Sequence, residues 1–143
     1  MTTGFSGKIV VEQWEQWWVL REPLVYECAD GTIIRVPELF VTDFASVPRP
    51  LWWLLPPADP AYSRAGLVHD RLYETHAVDR ASADAIFYEA MRVSGTGILR
   101  AWPMYRAVRL GGGASYASGA ARQAARHQAY ADFIRHDAGP DPR

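Results

Sequence analysis

The chain has 143 residues, 49% of them apolar and 22% charged, which is the size and make-up of one globular domain able to build its core without staples. A formal net charge of −1 supplies no whole-molecule field for DNA or an anionic membrane, so no nucleic-acid partner is expected and membrane contact has no support from charge. Cys28 is the single cysteine, which excludes an internal disulfide, and nowhere is there a run of about eighteen apolar residues that would span a bilayer.

In chain order, Met1 to Val11 lacks a basic stretch followed by an apolar run of signal-peptide length, which predicts synthesis in the cytoplasm. The first forty residues read as strands, because β-branched and aromatic runs at Lys8 to Glu12, Leu24 to Cys28 and Thr32 to Val36 alternate with turn chemistry. Asp30-Gly31 between apolar runs predicts a hairpin with a two-residue type I′ turn. Trp14, Trp17 and Trp18 crowd one short stretch, a composition enriched at interface anchors.

Between Thr42 and Pro60 the prolines at 48, 50, 56, 57 and 60 forbid a long helix or a central strand, and predict an ordered loop with one short helical turn. Trp52-Trp53 and its Leu neighbours read as an apolar lid over the core, with a membrane-interface wedge as the alternative that the lack of flanking basic residues disfavours. The stretch Thr42 to Arg49 reads either as the lining of a site or as a local device in which Asp43 or Ser46 caps the turn begun by Pro48; the two are compatible.

Helical signals follow. One helix runs from Asp59-Pro60 to about His76, a second starts after Asp79 or Ser82 and ends near Gly95, and a third spans Ile98 to Leu110 before the break at Gly111-Gly112-Gly113. From Ala114 to Asp137 the composition turns to Ala, Arg and Gln, which favours helix but offers little large apolar surface, so this segment is expected to be peripheral or docked on a partner. Residues 138–143 read as a disordered tail.

The chemistry-bearing residues concentrate in LVHDRLY and ADAIF. His69 and Tyr73 stand four apart and share a helix face, with Asp70 about 100° round the same turn. A histidine acting as base near neutral pH needs a partner on its other ring nitrogen. Asp84, flanked by apolar residues in the next helix, is the natural supplier, because a short link makes the two helices antiparallel and a buried carboxylate needs a partner. Asp70 is then placed to hold a hard cation with loop carbonyls and water. The bland alternative is that the His-Asp step is solvated or capping and the cluster structural. His76, His127 and His136 read as surface residues.

The succession TDFASVPR, a Trp-rich proline segment, LVHDRLY, ADAIF and RAWPMYRAVRLGG resembles a phage and prophage family described as a domain of unknown function, over roughly Gly4 to Gly113. That resemblance implies a phage-encoded protein made in the host cytoplasm, associated with virions and with other virion proteins as partners. Over residues 62–91, HDxxY followed by ADxxF is similar to the catalytic helix pair of secreted phospholipase A2 and of the parvovirus capsid phospholipase. The likeness implies His69 as the base that activates water, Asp70 as a calcium ligand, and Tyr73 and Asp84 as supports of the histidine. Those enzymes complete the calcium site with a glycine-rich loop that does not precede His69, so the segment with Thr42 and Asp43 is the substitute ligand source.

The expectation is therefore an α+β domain: an N-terminal antiparallel sheet of three or four strands, then a helical half whose antiparallel helices carry the His and Asp motifs. Residues 1–113 form the domain, 114–137 the peripheral helix. Two functions are carried forward: a hydrolase-like centre of His69, Asp84 and Tyr73, acting on lipid or another ester with calcium at Asp70 and Asp43, or a non-catalytic tail or assembly protein with a structural polar cluster. A cell-wall peptidase ranks last, since neither HExxH nor a spare Cys with a partnering His is present.

Overall fold

A computed structural model of the protein describes residues 3–42 and 60–137. The expectations for the proline-rich loop, for Asp43, Ser46 and the Trp52-Trp53 lid, and for the tail after Asp137 lie outside the described residues. The α+β expectation is borne out: among the described residues, strands occupy the N-terminal part and four helices follow from Pro60 onward.

The strands form two three-stranded antiparallel sheets rather than one. In the first, β4 (Leu24–Glu27) lies between β1 (Gly4–Ser6) and β5 (Ile33–Val36), with Tyr26 opposite both Phe5 and Ile34. Alternation places Leu24, Tyr26, Ile34 and Val36 inward. In the second, β3 (Trp17–Leu20) lies between β2 (Val11–Trp14) and β6 (Val41–Thr42), with Trp14 opposite Trp17. The strand expected at Lys8 to Glu12 is thus shifted to Val11–Trp14, and a tight turn through Glu15, at φ 54°, returns the chain. Trp14 faces inward, its ring 5.3 Å from that of Tyr130, so it serves internal packing.

The Asp30-Gly31 hairpin forms, but not through a type I′ turn. Only Gly31 of the pair has positive φ, at 86°; the Gly31 N–H donates to the Cys28 carbonyl and the Cys28 N–H to the Thr32 carbonyl. Three residues, Ala29 to Gly31, therefore make the loop, the type I turn followed by a left-handed glycine that suits strand twist. Asp30 accepts from the Thr32 N–H at 2.9 Å, a local bond that braces the loop.

Helix α1 (Pro60–Thr75) is the central element, burying Leu67, Val68, His69, Leu72 and Tyr73. It ends where His76 takes φ 52° and returns its N–H to the Leu72 carbonyl. Asp79 caps α2 (Arg80–Val93) by accepting from the Ser82 N–H, so of the two candidate starts Asp79 is the cap. Across the short link 76–79 the chain returns antiparallel, with Tyr73 meeting Asp84 and His69 meeting Phe87, and α2 packs along α1. Glu89 of α2 accepts from the Tyr26 hydroxyl at 2.6 Å and the Ala29 N–H at 3.1 Å, tying the first sheet to the helices.

Helix α3 (Ile98–Gly111) packs on α2, and α4 (Gly113–Asp137) on α1. The segment expected as a peripheral or partner-docked helix meets the domain through small and polar groups. Gly119 lies so close to the Tyr73 carbonyl that a Cβ would overlap it. The buried Gln123 amide, oriented by its partners, accepts from the Val41 N–H and donates to the Val41 carbonyl, both at 2.9 Å. The Tyr116 hydroxyl donates to the Val78 carbonyl at 3.0 Å, and the Tyr116 ring stacks on His76.

Candidate active site

Residues 69 and 73 of α1 are one turn apart, and both side chains are aimed at the middle of α2. There Asp84, with no exposed surface, sits among Ala83, Phe87 and the facing helix. Its Oδ1 lies 2.7 Å from His69 Nε2 and accepts from the Tyr73 hydroxyl at 2.5 Å. Its Oδ2 accepts from Arg109 Nη1 of α3 at 2.8 Å, with Arg80 Nη1 at 3.8 Å. Arg80 also donates to the Val108 and Arg109 carbonyls, at 3.2 and 3.0 Å, and so ties α2 to the C-terminal end of α3.

Burial alone would push the Asp84 carboxyl up. Hydrogen bonds from His69, Tyr73 and Arg109 outweigh it and hold the group below the ordinary carboxylate range. Tyr73 moves the other way: burial first, then the bond to the carboxylate, push its phenol well above the usual value, so it stays a neutral donor. An ionised carboxylate accepts, so the proton of the His69–Asp84 bond belongs to His69 Nε2 in the neutral ring. Nδ1 then carries the lone pair, and it has no hydrogen-bond partner among the described residues. The ring is held between Tyr73 and Phe87, at centroid distances of 4.1 and 4.6 Å.

His69 and Tyr73 line a cleft of about 380 Å³ with Asp70 of α1, with Ala107, Val108, Gly111 and Gly112 at the α3 to α4 junction, and with Ser115, Arg122 and Arg126 of α4. The structure thus brings His69, Tyr73 and Asp84 together and places Asp70 beside them, while Asp43 lies outside the described residues. Asp70 accepts from the buried Thr42 hydroxyl at 3.4 Å. Among the described residues no three His, Cys, Asp or Glu side chains converge as a metal site, and two guanidinium groups line the same cleft. One carboxylate and one hydroxyl fall short of the six to eight oxygens that calcium takes, so the described donor set does not fit that ion.

The sequence reading missed Arg80, Arg109, Arg122 and Arg126. Arg80 stands four residues before Asp84, a helical spacing that signals an ion pair. Arg122 and Arg126 share the same spacing on one face of α4. For Arg109 no local signal exists, because its meeting with Asp84 depends on the course of α3.

No curated protein and no solved structure matches this chain. A family model described as protein of unknown function (DUF1353) matches residues 18–108, a span that holds His69, Asp70, Tyr73, Arg80 and Asp84 and stops one residue before Arg109. With well over half of its residues inside that match, the chain belongs to the DUF1353 family.

Proposed function

We propose that the protein is a hydrolase of ester substrates in which His69 is the general base. The observation that carries this reading is the pairing of His69 Nε2 with a fully buried Asp84, held below the ordinary carboxylate range, while the ring lines an open cleft. Nδ1 takes a proton from a water in the cleft as the water oxygen bonds to the ester carbonyl carbon. The bond to Asp84 stabilises the imidazolium that results, and the proton passes to the leaving alkoxide as the carbon–oxygen bond breaks. Tyr73 and Arg109 are positioning residues, holding the carboxylate that holds the ring. Arg122 and Arg126 supply positive charge on the cleft wall where the carbonyl oxygen gains negative charge.

A panel of short-chain esters and phospholipids, with added calcium and with chelator, tests the reading. A His69→Asn variant is expected to lose about a hundredfold or more of the activity, the range of general-base catalysis. Hydrolysis unchanged in that variant would remove the base. Dependence on calcium would bring Asp70, with Asp43, into the centre as a cation site, a role suggested by the resemblance to the phospholipase helices.

A second reading is favoured by Asp84 itself, which is bonded from α1 and α3 as well as approached by Arg80 of its own helix, as a purely structural hub would be. In it the chain is a non-catalytic assembly protein of a phage tail, a setting supported by the motif resemblance. Recovery of the protein in fixed stoichiometry from purified particles, together with no hydrolysis of any ester, would decide for it.

A further inference from the structure

The charge of this chain is unevenly distributed along it. Residues 90–131, which hold the end of α2, all of α3 and most of α4, contain six arginines and no Asp or Glu, so the remaining residues carry nine basic and sixteen acidic side chains. Within that basic stretch α3 presents a face that the other described residues leave exposed. Leu99, Trp102, Arg106 and Leu110 follow one another at helical spacing, and Leu99 and Leu110 are 84% and 80% exposed. Ile98, and Val93 at the end of α2, are exposed as well, as are Arg92 and Arg100. Trp102 is braced edge-on by Tyr88 at 6.2 Å and by the tilted ring of Tyr105 at 5.6 Å, which holds an amphipathic ring at the surface.

We infer that this face of α3 is a docking surface for an anionic lipid bilayer. Large exposed aliphatic side chains beside a Trp, interleaved with arginines and without acidic neighbours in the helix, are the composition of a helix lying in the membrane interface. Arg106, in the middle of the stripe, can lay its stem on the apolar surface and raise its guanidinium to headgroup phosphates. Charge complementarity selects lipid with negative headgroups, each arginine near such a surface being worth roughly fivefold in partitioning. No described helix is long and apolar enough to cross a membrane, so the contact is peripheral. It does not depend on the hydrolase reading, because α3 would dock whether or not His69 acts as a base.

The test is flotation of the full chain with vesicles of phosphatidylcholine alone and of phosphatidylcholine mixed with an equal part of phosphatidylglycerol. The expected result is partitioning onto the mixed vesicles about tenfold or more above the neutral ones, weakened by salt. Leu99→Asp with Leu110→Asp, and separately Arg106→Glu, should each cut it by about tenfold or more. These side chains are exposed, so the variants are expected to fold, and far-UV circular dichroism checks that they do. No binding to either vesicle, or binding that the substitutions leave unchanged, would overturn the inference. So would self-association in the absence of lipid that the same substitutions abolish, since the face would then be a contact between copies.

Discussion

The molecule contains two clusters of the same residue types, and they behave differently. At the candidate site a tyrosine, a carboxylate and arginines meet as Tyr73, Asp84, Arg109 and Arg80. At the far end of α4, Tyr130, Glu12 and Arg21 form a similar set between that helix and the second sheet. In the first the carboxylate is sealed from water and accepts bonds of 2.5 to 2.8 Å. In the second the Tyr130 contacts are 3.4 Å, the ion pair is 3.7 Å, and the Arg21 and Glu12 side chains are 41% and 49% exposed. Identical chemistry is therefore a fixed part of the architecture in one place and a loose surface contact in the other, because burial decides whether water competes.

The largest effect separating the two is expected at the carboxylate. Asp84→Ala leaves Tyr73 and His69 buried without their acceptor and Arg109 without its counter-ion, and should cost about 3 kcal/mol in urea unfolding. The corresponding Glu12→Ala should cost less than about 0.5 kcal/mol. Equal costs would collapse the distinction. The pH dependence has a definite sign: the folded-state value of Asp84 lies below its ordinary 3.8, so the stability it contributes is fully present above that value and is lost as pH falls through the lowered one. Asp84→Asn should remove that part of the acid limb while the remainder of the curve persists.

The next effect tests whether the clusters are coupled, since α4 carries Tyr130 at one end and backs Tyr73 with Gly119 at the other. Gly119→Ala drives a methyl into the Tyr73 carbonyl and should cost about 2 to 3 kcal/mol in thermal unfolding, by lifting α4 from α1. Gly66, in the interior of α1 with open space at its Cβ position, is the control: Gly66→Ala should stabilise by about 0.5 to 1 kcal/mol. A neutral Gly119→Ala would mean that α4 does not rest on α1 as closely as the geometry has it.

These comparisons also separate what was legible in sequence from what was not. The helices were, because their punctuation is local: Asp79 caps α2 with its carboxylate, Gly95 takes a φ of 95° that other residues adopt less readily, and Gly112 stands where a Cβ would overlap the Val108 carbonyl and the Tyr73 hydroxyl. The meeting of His69, Tyr73 and Asp84 was legible too, since a four-residue spacing fixes a face and a short link fixes the return direction. The strand expected at residues 8–12 was misplaced because that stretch looks as strand-like as Val11–Trp14, and only pairing with Trp17–Leu20 decides the register. The Asp30-Gly31 dipeptide signals a hairpin without distinguishing a two-residue loop from a three-residue one. Part of how α4 packs was hidden from any count of apolar residues, because beside the rings of Tyr116 and Tyr130 its contacts include a missing side chain at Gly119 and an amide that pairs with the backbone of Val41. Arg109 was out of reach, as its partner is brought to it by tertiary packing alone.

The finest test makes the same atom-for-atom change in both clusters. Tyr73→Phe removes a hydroxyl that donates at 2.5 Å to a buried carboxylate, while the ring keeps its contacts with His69 and Tyr116. Loss of a hydrogen bond to a charged group in that setting should cost about 2 kcal/mol. Tyr130→Phe removes a hydroxyl whose contacts with Glu12 and Arg21 are both 3.4 Å, long enough that water replaces them at little cost, while its packing on Trp14 and Phe133 persists. Its cost should be less than about 0.5 kcal/mol. A larger loss at Tyr130 than at Tyr73 in paired urea titrations would show that exposure is the wrong measure of these clusters. It would also weaken the case that the Asp84 carboxylate is held rigidly enough to orient His69.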